Sequence, residues 1–555
     1  MKKYLKETWS AYVLSFVFCY MLFFYEPLTM YLSNVSDFWF GINTMFNMTS
    51  LLFLLVLLIM IIGLNVVYFL NRKKDKKIFK IITIILFVVF FCSYIQGNYL
   101  VGNLPLLDGG KIIWSDYKVD WIISIVLWIF VIGLVIILIK KLTLNKMIKY
   151  TGFVGLAIFI MLSLSLTSNF LTIKGLKHKD FIPLVTYNNI NRYSKEKNLV
   201  VLLLDCVDSK AFMDRMNLDN DFNGMLKDFT YYPNTMSVHG FTDESIPLIL
   251  TGEVYQNEKP LIEWATDAYK KSPLFSMLEN NGYQLDVYEQ DILYNDETAL
   301  RIGNIINYDN NEKIISKIKF WKQEIKYIMF RYLPSILKRF SKIEEMHFGV
   351  LYLDNKSAIA SNRFYDIKNS TTIEMIRREN VVKDDSKVFK FIHVLGAHAP
   401  WNIGKNYKQI KNGNYEDGID AALTFTKDYL NFLKNNNLYD NSAVVIMSDH
   451  GFKTKDNNGG RQNPIFFVKG INEKRNKMET SNKALSFVDL NEMYNDLIND
   501  KKSNELFSNI SSRRVRRFLF YKDANTKFMT EYETKDKAWE TDKMYRTGKV
   551  FEKKW

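Results

Sequence analysis

Apolar and polar positions fall into two regimes along the chain. Over the first third, apolar residues run almost unbroken in five stretches: Trp9 to Leu32, Ser50 to Leu70, Ile78 to Ile95, Trp121 to Ile139 and Tyr150 to Leu166. Each is near the roughly 20 residues that a helix needs to cross a bilayer core. The pattern predicts a five-span membrane domain over residues 1–167. The first stretch is too long, and wrongly flanked, for a cleaved leader. It also carries Glu26, which must either end the span or face protein or the interface. Residues 168–197 are polar and basic. They read as a juxtamembrane connector along anionic headgroups, or equally as a solvated linker.

From Asn198 the apolar runs shorten. NLVVLLLDC reads as a buried parallel strand that ends in Asp205. Gly282 to Tyr288, Lys387 to Trp401, Ser442 to Gly451 and Asn463 to Gly470 read as further strands. Helical patterns at Ser272 to Asn281 and Tyr415 to Asn435 alternate with them. The alternation predicts an α/β domain over residues 198–512, with a mostly parallel central sheet covered by helices on both faces. The extension 513–555 alternates apolar and polar residues, the pattern of a small antiparallel sheet. Lys313 to Lys342 differs from its surroundings. Ile314, Ile318, Trp321, Ile325, Ile328, Tyr332, Ile336 and Phe340 recur at helical spacing among lysines and arginines. That is a basic amphipathic helix interrupted near Pro334, which either dips into an interface or packs on its own domain.

Charge then sets orientation. The net charge is +14, which nucleic acid, anionic lipid or topology-setting loops would each explain. Lys2, Lys3 and Lys6 precede the first span. Arg72, Lys73, Lys74, Lys76 and Lys77 join the second to the third, and Lys140, Lys141, Lys146 and Lys149 join the fourth to the fifth. The other two connections hold only Lys111 and Lys118. By the positive-inside rule the N-terminus is cytoplasmic, and five crossings place everything beyond Thr167 outside. This tells against a nucleic-acid partner. Three cysteines, Cys19, Cys92 and Cys206, form neither a disulfide framework nor a thiolate zinc pattern.

The chemistry gathers on GFTDESIPLILTG, Gly240 to Gly252. A glycine-punctuated loop leads into an apolar helix start. Pro247 suits a first helical turn and Ser245 suits a cap. Thr242 then lies near a helix N-terminus, where an anion is favoured. Three strand ends carry Asp205, Asp449 with His450, and His393 with His398. Strand C-terminal edges converge on one rim of such a sheet. The chain has only six histidines, so three at strand ends, beside acids or in an H-x-x-x-x-H run, point to a metal site. Oxygen and imidazole donors suit one divalent ion, Mn2+ or Zn2+. Such a cation would stabilise the Thr242 alkoxide and neutralise charge on an attacked phosphate.

The ordered set Asp205, T-x-x-S-I-P, H-x-x-x-x-H-x-P and S-D-H-G resembles the alkaline phosphatase and sulfatase superfamily. The five spans before an outer domain resemble its membrane branch, the lipoteichoic acid synthases and phosphoethanolamine transferases. The resemblance implies an extracellular sulfatase-like domain. In it Thr242 is the nucleophile, and Asp205, Thr242, Asp449 and His450 hold the metal. His398 contacts the phosphate or protonates the leaving group, and His393 supports it. The sulfatase branch's C/S-x-P-x-R is not met: Ser245-Ile246-Pro247-Leu248-Ile249 lacks the arginine, which disfavours sulfate-ester hydrolysis. One outer-domain cysteine departs from the disulfide-rich phosphoethanolamine transferases. Gly459-Gly460-Arg461-Gln462-Asn463-Pro464 stands where they tend to carry histidine, which makes Arg461 a candidate phosphate clamp. Aspartate at 205 replaces the glutamate of the lipoteichoic acid synthases. His239, three residues before Thr242, has no evident role.

The expectation is a multi-pass membrane phosphotransferase. It takes a phospho-alcohol headgroup, glycerol phosphate before phosphoethanolamine, from a membrane phospholipid through a phosphothreonine to a cell-surface glycan. The alternatives are a sulfatase or phosphodiesterase-type hydrolase, and a non-catalytic membrane protein that binds glycan or a partner.

Overall fold

A computed structural model of the chain describes all residues except 1, 34, 36–37, 39, 73–74, 102–111, 113, 174–182, 290–295, 308–315, 344–363, 365–366, 379, 453–459, 522–526 and 554–555. Lys73, Lys74, Lys111, Lys174, Lys177, Lys179, Lys313, Ile314 and Gly459, used in the sequence reading, lie outside the described residues. By contact the chain divides into two units, Met1–Ile182 with Asn310–Ala360, and Pro183–Asp309 with Ser361–Trp555. The first unit therefore takes in an excursion from the middle of the chain, and the second begins before Asn198.

Among the described residues the first unit holds five helices long and apolar enough to cross a membrane. The first is continuous through three segments: α1 (Lys2–Tyr20), a π-helical turn (Met21–Tyr25) and α2 (Glu26–Ser33). The wide turn closes with Glu26 N–H donating to Met21 O, directly before Pro27, which has no N–H to continue the ladder. Then come α3 (Ile42–Leu70), α4 (Lys77–Tyr99), α5 (Lys118–Leu142) and α6 (Leu144–Thr172). α3 and α5 leave Ile59 and Ile129 68% and 65% exposed, the surface of a helix that meets lipid tails rather than water.

The basic amphipathic segment forms a helix, Lys317–Tyr332, and a 3-10 turn, Ser335–Phe340, either side of the break at Pro334. Its partner is the membrane unit. Trp321 Nε1 donates to Met48 O at 3.1 Å, and Arg331 Nε to Gly97 O at 2.9 Å. Gly97 is required there, because a Cβ would lie 2.2 Å from the Tyr332 ring. The buried face also differs from the apolar stripe. Ile318 and Ile325 are exposed, while Phe320, Gln323, Glu324, Ile328 and Tyr332 are buried.

The face turns because it answers Glu26. That carboxylate is 1% exposed and receives Arg331 Nη1 at 2.6 Å, Tyr327 OH at 2.9 Å and Tyr332 OH at 2.5 Å. The acid in the first span thus faces protein. An ion pair this buried holds only while both members are present. Arg331→Met should lower stability by about 3–5 kcal/mol, because it strands the Glu26 charge. Adding Glu26→Gln to that variant should restore most of the loss, as read by thermal melting of the purified chain in detergent.

In the second unit, seven strands form one sheet. In chain order they are β1 (Asn198–Leu204), β2 (Thr230–Tyr231), β3 (Tyr283–Tyr288), β4 (Lys387–Val394), β5 (Ser442–Met447), β6 (Phe466–Lys469) and β7 (Glu479–Thr480), and the spatial order is β7-β2-β6-β5-β1-β4-β3. β5, β1, β4 and β3 run parallel, and β6 is antiparallel to both of its neighbours. All seven residues of β1 are buried, as a strand covered on both faces requires. The register sets Leu203 beside both Met447 and His393, so the C-terminal ends of β4, β1 and β5 lie level. The extension forms a three-stranded antiparallel sheet of β8 (Arg516–Tyr521), β9 (Phe528–Thr534) and β10 (Tyr545–Glu552).

Candidate active site

The level strand ends bring the expected acids and histidines together. Asp205 follows β1, Asp449 and His450 follow β5 by two and three residues, and His393 is the penultimate residue of β4. All four are buried. Asp449 Oδ1 accepts from Cys206 N–H at 3.0 Å, which ties the ends of β1 and β5 to each other. Ser448 Oγ, which accepts from Val207 N–H at 2.8 Å, also lies 3.1 Å from that oxygen.

The loop after β4 is laced to Asp205 by its backbone. Asp205 N–H donates to Val394 O at 3.0 Å, and Ala397 N–H to Asp205 O at 2.9 Å. Between them Gly396 has φ +56, and a Cβ there would lie 2.5 Å from the Asp205 backbone. Only glycine fits both the left-handed conformation and that approach.

Asp205 Oδ1 and Asp449 Oδ2 are buried without a hydrogen-bond partner. Unpaired carboxylate oxygens are costly to bury, and a cation answers that cost. Donor atoms of Asp205, Cys206 and His450 lie within 4.8 Å of one another, and His450 Nε2 is 3.3 Å from Asp449 Oδ2. His450 Nδ1 is 2.7 Å from Gly451 O, a bond that assigns its proton to Nδ1 and leaves Nε2 to ligate. These residues fit a divalent metal. Cys206 is the addition that the sequence did not signal as a donor. Burial first, then Asp205, pushes its thiol well above the usual range, so it stands as a neutral thiol.

Burial would raise the Asp205 carboxyl, but His398, His393 and His450 outweigh it and hold the group at about 2. His393 lies between two acids, with Nδ1 2.6 Å from Glu289 Oε2 and Nε2 3.6 Å from Asp205 Oδ2. Burial disfavours its charged form, yet Glu289 and Asp205 together raise it well above the ordinary histidine value. The structure thus places His393 against Asp205. Glu289 was missed. Its one sequence signal was its place directly after β3, an acid at a strand end like Asp205. His398, half-buried, has Nδ1 2.6 Å from Ala399 O. It borders a small cavity with Asn369, Pro400 and Trp401.

Thr242 is the first residue of α7 (Thr242–Thr251). The cap expected at Ser245 is not formed. Phe241 is the N-cap residue, with extended backbone and no side-chain cap bond; Ser245 lies inside the helix, and Pro247 is its sixth residue rather than part of the first turn. The helix starts a turn early because Phe241 is held, its ring stacked on Phe520 of β8 at 6.2 Å and 8°. Leu519 N–H also donates to Val238 O at 2.7 Å, so the C-terminal sheet braces the Thr242 loop. Arg461 reaches the same loop. Nη1 donates to Gly240 O at 3.3 Å, and the guanidinium lies 5.1 Å from the Phe241 ring centroid. Its charge also opposes the effect of burial on the Cys206 thiol. His239 is buried with neither ring nitrogen partnered, and burial lowers it to about 3, so it is neutral.

A sulfatase family model matches residues 197–486. No curated protein sequence matches the chain. Among solved structures, a protein of the alkaline phosphatase superfamily from Vibrio parahaemolyticus is 10% identical over 67% of this chain and 81% of its own, with a TM-score of 0.36. A phosphonate monoester hydrolase from Silicibacter pomeroyi is 11% identical over 64% and 89%, with a TM-score of 0.34. The C-terminal periplasmic domain of EcEptC from Escherichia coli is 13% identical over 56% and 84%, with a TM-score of 0.30.

Two measurements test the site. Asp449→Asn should weaken Mn2+ or Zn2+ binding at least about tenfold by calorimetry, and a chelator should lower the parent's melting temperature but not the variant's. Glu244, two residues into α7, is pushed up to about 8 by burial and then by Asp243. The folded chain keeps it protonated, whereas the unfolded chain ionises near the ordinary value of 4.5. Its stabilising contribution is therefore full below about pH 4.5 and is lost as pH rises towards about 8. Glu244→Gln should melt several degrees above the parent at about pH 8, and level with it at about pH 4.

Proposed function

The chain belongs to the sulfatase family, and so to the hydrolases and transferases of the sulfatase and alkaline phosphatase superfamily; from that premise we propose that it transfers a phospho-alcohol headgroup from a membrane phospholipid to a cell-surface glycan. The observation that carries the reading is Thr242 at the head of α7, with Arg461 beside its loop, in a chain with five membrane-length helices. A chain so anchored meets its phosphorus esters as lipid headgroups.

In this reading the first-turn N–H groups of α7 and the Arg461 guanidinium bind the phosphate oxygens. Thr242 Oγ gives its proton to water before the first turnover, and the alkoxide, which each cycle regenerates, bonds to phosphorus. The bond from phosphorus to the diacylglycerol oxygen breaks, and His398 gives that oxygen its proton. The headgroup remains as a phosphothreonine diester. A glycan hydroxyl, entering beside His398 and Trp401, then attacks the same phosphorus, passes its proton to His398 and releases Thr242. Asp205, Asp449 and His450, with Thr242, would hold a divalent ion, Mn2+ or Zn2+, whose Lewis acidity favours the alkoxide and stabilises charge on the phosphate. Glu289 and His393 position Asp205. The lysine distribution supports an outer-face location for this chemistry.

Glycerol phosphate is favoured over phosphoethanolamine as the group moved. All three cysteines are free, so no disulfide braces the domain, and Arg461 offers a fixed cation for an anionic diester. Mass spectrometry of the Thr242 peptide, from protein incubated with labelled phosphatidylglycerol, should show one added glycerol phosphate. Thr242→Ala should abolish both adduct and headgroup transfer. Undiminished transfer in that variant, or release of free headgroup without acceptor at the full rate, would overturn the reading.

A further inference from the structure

The membrane unit contains a cavity where the Lys317–Tyr332 helix meets the end of α2 and the start of α3. Pro27, Met30, Phe38, Met45, Phe320 and Tyr327 line it, around an enclosed space of about 10 Å³ that is open on one side. The remaining lining residue is Glu324. That side chain is 7% exposed, and neither carboxylate oxygen has a hydrogen-bond partner among the described residues. The adjacent Gln323, also buried, leaves Nε2 without one.

Glu26, on the same side of the unit, shows how this fold satisfies an acid when the acid is structural. Arg331, Tyr327 and Tyr332 take up its oxygens. Among the described residues Glu324 has no such set, and no lysine or arginine lines its cavity. A buried acid left with both oxygens open towards a cavity costs stability unless something enters to meet it. The walls say what enters. Two methionines and three aromatic rings form an apolar, adaptable lining. The cavity lies at the ends of α2 and α3 away from Lys2, Lys3, Lys6, Arg72, Lys76 and Lys77, at the level where lipid headgroups pass into acyl chains. The enclosed space admits one hydroxyl or ammonium group at the end of a headgroup, and the rest of the lipid lies at its mouth.

We propose that this cavity binds the polar end of one membrane lipid, whose headgroup presents hydroxyl or ammonium hydrogens to Glu324 while its methylenes lie against Met30, Met45 and Phe320. A hydroxyl donates to the carboxyl group directly. An ammonium would pair with it and also meet the faces of Phe38, Phe320 and Tyr327. A trimethylammonium headgroup has no N–H and satisfies neither oxygen. The site deepens the reading of the chain as a consumer of outer-leaflet phospholipid, and it rests on that reading only for its purpose, because binding needs no turnover.

The test uses the full chain carrying Thr242→Ala, so that bound lipid cannot be consumed. Native mass spectrometry counts lipid retained from mixed micelles of phosphatidylglycerol, phosphatidylethanolamine and phosphatidylcholine in equal amounts. One lipid should be retained, with phosphatidylglycerol or phosphatidylethanolamine preferred over phosphatidylcholine by about tenfold or more, the scale of one hydrogen bond to a charged or strongly polar group. Whichever of the two predominates identifies the donor as hydroxyl or ammonium. Glu324→Leu should erase the preference. Met45→Trp, which fills the cavity from the opposite wall, should abolish retention and decides the matter if the first variant does not fold. Equal retention of all three lipids, or an undiminished preference in Met45→Trp, would overturn the site. Selective retention beside a parent that forms no Thr242 adduct would leave the site standing and remove the transfer reading. An adduct formed without selective retention would do the reverse.

Discussion

Two buried carboxylates at level strand ends are the constraint on which the second unit depends. Asp205 and Asp449 stand where β1 and β5 stop, in a region dry enough that an unmet oxygen on each is a liability. The surroundings are arranged to hold them there. Asp449 is hydrogen-bonded to the backbone just past β1, and Ser448 lies against the same oxygen. The loop after β4 is stitched to the Asp205 backbone through a position that only glycine can occupy. Glu289 and His393 add a charged brace from the neighbouring strands. A parallel register delivers the residues from far apart in sequence. The remaining unmet oxygens are what make the place a candidate metal site rather than a network of internal ion pairs.

The sequence made this rim legible because a parallel strand has a simple signature. Asp205, His393, Asp449 and His450 could be placed from apolar runs that end in polar residues. Thr242 was legible as a helix start for the same local reason. The details that failed were those set by distant residues. Ser245 looked like a cap, but the helix begins where Phe241 is pinned by Phe520, and nothing local reports an aromatic contact across 279 positions. Glu289 follows a short strand, beside residues outside the described set, and acquires meaning only from His393 in the adjacent strand. Cys206 looked like the end of a core strand, but β1 stops at Leu204, and the left-handed backbone of Cys206 in the turn beyond sets it among the donors.

Glu26 gives the same lesson in the first unit. Composition alone marks it as anomalous, because an acid in an apolar helix must be answered. The partner could not be read, since Arg331 lies 305 residues later in a helix whose apolar stripe suggested another buried face. Helical periodicity counts hydrophobic residues and cannot see that a half-buried arginine and two tyrosine hydroxyls outweigh Ile318 and Ile325. The helix was correctly legible as amphipathic; which face would be covered depended on a charge in another element.

The donor set also bears on which cation the second unit would hold. Two carboxylates and an imidazole nitrogen form a set that a hard ion such as Mn2+ accepts well. Cys206 complicates that preference. While its thiol keeps its proton, pushed well above the usual range by burial and Asp205, it contributes little as a ligand. A softer ion such as Zn2+ would gain from drawing out that proton, with Arg461 already opposing the effect of burial on the thiol. One cysteine that looked like core packing thus becomes the residue on which metal preference turns. Replacing its thiol by a hydroxyl should shift selectivity towards Mn2+ and leave the carboxylate framework in place.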